Sequence, residues 1–193
     1  MFKSWIFLAL FLIGINPIFS QGGSVRIAVY GGGNVNFVFN SIGAYSSGIT
    51  YNNFTLLGID VQDPVALPDY TTWELRFLAA DVNVDNNFNG INPANTLPLS
   101  VVEVKATISA GCASCNCFLS PFISLSNASQ VLVDGNALGG ADDITPATGL
   151  STSLDQINLS YQCGVGAANN LFKLSPSADY YADDMYLDLI MSP

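Results

Sequence analysis

Apolar residues recur at every second position in short stretches along most of this chain, and turn-forming residues separate the stretches. Side chains alternate between the two faces of a β-strand, so this spacing predicts half-buried strands. Val25, Ile27 and Val29 form one row, and Val35, Phe37 and Phe39 form the next, after Gly31-Gly32-Gly33-Asn34. Residues 54–61 make a third run, in which Leu56 and Leu57 blur the alternation. Trp73, Leu75, Phe77 and Ala79 fall on one face, with Glu74 and Arg76 on the other. Across residues 99–108, Val102, Val104 and Ala106 alternate with Glu103, Lys105 and Thr107. Val131-Leu132-Val133 is short and stops at Asp134-Gly135, a strong turn signal. Ile157, Leu159, Tyr161 and Cys163 alternate with polar residues, and Met185, Leu187, Leu189 and Met191 run to the end of the chain. About eight strands, frequent turns and no convincing amphipathic helix predict an all-β antiparallel sandwich or barrel. The Cys- and Ser-rich stretch 110–126 leaves room for a short helical turn.

The first residues have a different character. Lys3 is the only charge before Arg26, residues 5–15 are almost wholly apolar, and Asn16-Pro17-Ile18-Phe19-Ser20 breaks the run. A basic start, a short apolar core and a small residue at its end are the parts of a secretory signal. The core is too short for a membrane span, which takes about 20 apolar residues. Cleavage is expected between Ser20 and Gln21. The division is then a signal peptide, 1–20, and a single domain, 21–193. The expected location is outside the cytoplasm: extracellular, at the cell surface or in the periplasm.

Charge and composition exclude several functions. The chain carries 5 basic and 15 acidic residues, a net charge of −10 at pH 7. Such a chain repels phosphate backbones and anionic membranes, so nucleic acid is not an expected partner. No membrane span is expected after signal cleavage. The sequence contains no His, which removes Ser-His-Asp and Cys-His catalysis, His-ligated zinc and imidazole pH switching. Glu74 and Glu103 are the only Glu residues. Both fall on the outward face of a strand, and no pair of carboxylates stands out for glycoside hydrolysis. The expectation is a protein that is not an enzyme.

Cys112, Cys115, Cys117 and Cys163 are the only cysteines. Four cysteines behind a secretory signal predict two disulfides. A bridge from Cys163 to the cluster closes a loop of about 46 to 51 residues, worth roughly 3–4 kcal/mol by chain entropy. A Cys-only zinc site needs two paired clusters, and Cys163 stands alone. Asp81, Asn83 and Asp85 place oxygen ligands at alternate positions, a weak calcium candidate. The loop lacks Gly at its sixth position and has Asn92 where a helix–loop–helix calcium site has Glu. No other cofactor is expected.

The segment Tyr181-Ala182-Asp183-Asp184-Met185-Tyr186-Leu187-Asp188-Leu189 resembles the Y-x-D-x-V-x-V-x-L ending of spore coat protein U-like domains, which include the pilins of archaic chaperone–usher fimbriae. Members usually have Gly two places before that Tyr, where this chain has Asp179. Pro176 lies close to the usual Pro of the preceding turn. The resemblance implies an immunoglobulin-like sandwich of about eight strands that lacks one strand and receives it from a neighbour's N-terminal segment. It also implies partners: other subunits, or a periplasmic chaperone. Val25, Ile27 and Val29 are then the donor-strand candidate. The same alternation equally suits the first strand of the chain's own sheet. The functional expectation is a secreted structural or adhesive surface protein, such as a fimbrial subunit using strand complementation. The alternative is a secreted carbohydrate-binding or calcium-dependent adhesive module.

Overall fold

The computed structural model describes residues 24–62, 72–80, 85–110, 118–119, 121–134 and 155–192. The strands are β1 (Ser24–Gly31), β2 (Ile49–Gln62), β3 (Thr72–Ala79), β4 (Asn87–Gly90), β5 (Thr96–Pro98) and β6 (Val102–Ala110). They continue with β7 (Phe118–Leu119), β8 (Ile123–Ser124), β9 (Gln130–Asp134), β10 (Asp155–Cys163), β11 (Tyr181–Ala182) and β12 (Met185–Ser192). Three short helices are α1 (Ile42–Ser47), α2 (Gly166–Asn169) and α3 (Leu171–Leu174). The fold is all-β, and each strand pairing is antiparallel.

Two main sheets form the sandwich. One runs β1-β2-β10-β6-β8, the other β12-β3-β9-β7. A small third sheet, β11-β4-β5, sits beside them. Period-two alternation does the packing. Leu57 and Ile59 of β2, Leu75 and Phe77 of β3, Val104 and Ala106 of β6, and Ile157, Leu159 and Tyr161 of β10 are all buried in one core. Each such Leu, Ile or Phe contributes about 1.5–3 kcal/mol relative to an exposed position. On the outer face of β3, Arg76 Nε donates to Glu74 Oε2 at 2.7 Å in a part-buried ion pair.

The long alternating runs became strands as their pattern predicts, with one exception. Val35, Phe37 and Phe39 belong to residues 33–40, which pair with no strand among the described residues. The strands without a sequence signal are the short ones, β4, β5, β7, β8 and β11. Such strands are too short for alternation to register. The helices are also short: α1 relies on a local cap, with Ser41 Oγ accepting the Ala44 N–H at 3.2 Å.

The chain leaves the first sheet at a defined point. Gly32 has φ +71°, a left-handed value that glycine adopts without cost. A Cβ there would lie 2.2 Å from the Phe54 carbonyl oxygen. The Gly32 carbonyl accepts from Thr55 Oγ1 at 2.5 Å, and that hydroxyl oxygen accepts from the buried Tyr161 hydroxyl at 2.9 Å. This relay ties the end of β1 to β2 and β10, the next two strands of its sheet. Burial raises the Tyr161 pKa, against the smaller lowering by its bond to Thr55.

Candidate strand-docking site

The two long sides of the sandwich differ. On one side β6 packs against both β7 and β9, and β7 in the second sheet is followed in the chain by β8 in the first. The other edges of the two sheets are β1 and β12. Among the described residues β12 pairs only with β3, in a regular register from Met185↔Ala79 to Ser192↔Thr72. Its outer row of backbone N–H and C=O groups faces no described strand. Unpaired edges of this kind accept further strands.

Side-chain burial marks the same edge. Met185, Leu187 and Leu189 point toward the core yet are only half-buried. Between them Tyr186 (54% exposed), Asp188 and Ile190 face outward. Across residues 34–40, half-buried Val35, Phe37 and Phe39 alternate with exposed Asn34, Asn36, Val38 and Asn40. This is the side-chain pattern of a strand. Yet residues 33–40 make no backbone–backbone hydrogen bond among the described residues. They are held by side chains: Tyr51 donates its hydroxyl to the Asn36 carbonyl at 3.0 Å, Phe37 stacks on Tyr51 at 5.3 Å and Phe39 lies 5.5 Å from Tyr45. Tyr45 in turn neighbours Tyr181, four residues before β12. The Tyr181 pKa is raised by burial first, then by the Asp179 carboxylate and by Tyr45.

The approach to β12 is braced by a carboxylate. Asp179 accepts from the backbone N–H groups of Ile91 (3.2 Å), Asn92 (3.1 Å) and Tyr180 (2.8 Å), and from Asn95 Nδ2 (2.9 Å). These bonds, led by the one from Asn95, hold its pKa below the usual carboxylate value. Its carboxyl group also fills the space beside Gly90, where a Cβ would collide with it. The residue that departs from the family resemblance thus clamps the turn between β4 and β5. Asp183 Oδ1 accepts the Asp184 N–H at 2.8 Å.

The other expected site residues are scattered. β1, which holds Val25, Ile27 and Val29, pairs with the chain's own β2, so Val25 stands opposite Val61 and Ile27 opposite Ile59. Ile27 is half-buried and Val29 is 54% exposed. Asp81 and Asn83 lie outside the described residues. Asp85 accepts from the Asn87 N–H at 3.1 Å in a local turn. Among the described residues no three His, Cys, Asp or Glu side chains gather as a metal site, and no helix is long and apolar enough to cross a membrane.

Cys163 carries a free, buried thiol in the structure, whose pKa burial pushes up to about 12. Its expected partners Cys112, Cys115 and Cys117 lie outside the described residues. Cys163 stands opposite Val102 at the end of the β10–β6 pair.

Sequence reasoning recognised the rows on β12 and at residues 35–39 but not that β12 is an edge of its sheet and that 35–39 joins no sheet among the described residues. That grouping depends on strand order, which alternation does not encode.

No protein-family model matches the chain. No curated protein sequence matches it either. Among solved structures it is similar to a chain of a chaperone–tip adhesin complex described as vital for synergistic activation of CFA/I fimbriae biogenesis, with 12% identity and a TM-score of 0.43. The match covers 86% of this chain and 43% of that one.

Proposed function

We propose that this chain is a secreted, non-enzymatic structural or adhesive surface subunit whose sandwich is completed by a strand from another protein. The observation that carries the proposal is the edge of β12. Its backbone has no described partner on the outer side, and its inward side chains Met185, Leu187 and Leu189 remain half-buried. An added strand satisfies the backbone groups and covers the apolar row in one step. The ending at residues 181–189, with its resemblance to pilin-like domains, agrees with a fimbrial role. The secretory character of residues 1–20 agrees with a place outside the cytoplasm. Lack of His and of an assembled acid–base pair agrees with a role that is not catalytic.

Hydrogen–deuterium exchange on the chain from Gln21 onward tests this reading. An extended peptide of alternating Val and Thr, added in excess, is expected to slow exchange of the β12 amides. Unchanged exchange at β12 with every extended peptide, together with a monomer at all protein concentrations, overturns it.

A further inference from the structure

We propose that the end of the molecule built by α1 and α3 lies against a zwitterionic lipid surface, with Ile42, Phe172 and Leu174 entering its apolar layer and Lys173 kept at the level of the phosphates. The inference does not rest on the strand-completion reading, since it concerns α1 and α3 and not the edge of β12.

Strand pairing brings the two helices together. β10 ends where β2 begins, because Cys163 stands opposite Ile49. α1 precedes β2 and α3 follows β10, so both helices emerge at that end of the first sheet. They pack against each other, and Asn170 Nδ2, at the start of α3, donates to the Ser46 carbonyl near the end of α1 at 2.6 Å. Gly48 lies so close to the Val165 side chain and the Cys163 carbonyl that a Cβ would collide with both. With six and four residues, the helices are only about 9 and 6 Å long, which confines their side chains to one small region. α1 buries none of its residues and α3 buries only Leu171. Ile42 is 78% exposed, Phe172 65% and Leu174 41%. Val38, also exposed, adjoins Phe39, whose ring lies against Tyr45 of α1.

The occupant follows from charge. No charged residue stands between Arg26 and Asp60, and Lys173 is the only one from Gln156 to Ala178. All 15 acidic residues therefore belong to other segments of a chain whose net charge is −10. A group of exposed apolar side chains marks a surface that meets something other than water. Protein interfaces are poor in Lys. A lipid surface makes use of it: the apolar stem runs along the inserted side chains while the ammonium group reaches the phosphates. Phe172-Lys173-Leu174 has that order, one basic residue between two apolar ones. Anionic lipid repels the acidic remainder of the chain, so the headgroups that fit are zwitterionic.

The test is co-sedimentation of the chain from Gln21 onward with phosphatidylcholine vesicles. Binding is expected to rise with lipid concentration. Ile42→Asp and Phe172→Asp are each expected to weaken it roughly tenfold or more, the loss of one apolar side chain's burial. Both positions are exposed, so the urea midpoints of these variants are expected to match the wild type. Tyr186→Asp adds the same charge at an exposed aromatic residue of β12 and is expected to leave vesicle binding unchanged. An equal loss at Tyr186 overturns the assignment to α1 and α3. No vesicle binding, or binding that neither helix variant weakens, overturns the proposal. A dimer that Phe172→Asp dissociates, with no binding to vesicles, assigns this end to a second copy of the chain and overturns the lipid surface.

Discussion

β3 and β12 lie side by side, paired residue for residue, and both alternate apolar and polar side chains. Their inward rows nonetheless differ in depth. Leu75 and Phe77 of β3 are 0% exposed, while Leu187 and Leu189, directly opposite, are only half-buried. β3 has a strand on each side, β12 and β9, whereas β12 has β3 alone among the described residues. Alternation decides which face a side chain takes. The number of flanking strands decides how completely water leaves it.

The largest expected effect is at the enclosed strand. Phe77→Ala empties a fully buried site and is expected to cost about 3–5 kcal/mol, read from urea unfolding. A loss below about 1 kcal/mol means that β3 is not the enclosed strand of the pair. Leu187→Ala, on the open strand, is expected to cost about 1–2 kcal/mol, since only part of its surface is buried to begin with. A bound complementing peptide is expected to raise that cost toward the range of the enclosed site. An equal cost with and without peptide removes the distinction between the two strands.

The smallest effect concerns the clamp that leads into β12. The Asp179 carboxylate has its pKa lowered by the Asn95 and backbone donors around it. Its contribution is complete above the unfolded carboxyl pKa of about 4, and is lost as pH falls through the lower folded value. Asp179→Asn is expected to flatten this acid dependence. The urea midpoints of wild type and variant should differ at about pH 5 and converge near about pH 2. A constant difference across that interval assigns the effect to shape and not to charge.

The long strands were legible because period-two spacing is local. The rows at Trp73–Ala79, Ile157–Cys163 and Met185–Met191 needed no knowledge of their neighbours to be assigned as strands, and β3, β10 and β12 contain them. The same local signal misassigned residues 35–39. They have the spacing of a strand, but past Gly32, with its left-handed φ, they make no backbone ladder among the described residues. Asp179 showed only as a departure from a resemblance, because its partners Ile91, Asn92 and Asn95 are more than eighty residues away in the chain.

The cysteines divide along the same line. Composition and an even count argued for a bridge from Cys163; the structure places Cys163 beside Val102, and its expected partners Cys112, Cys115 and Cys117 lie outside the described residues. By itself the sequence determined the strand-rich character, the acidity, the missing imidazole chemistry and the faces on which the apolar rows lie. Those are properties of composition and of neighbours a few residues apart. Only the tertiary structure decided that β1 closes on its own β2, that Cys163 is buried and that the inward row of β12 stays half-buried at a sheet edge. Strand order and sheet stacking bring together groups far apart in the chain, and a period of two carries no information about which strand lies next to which.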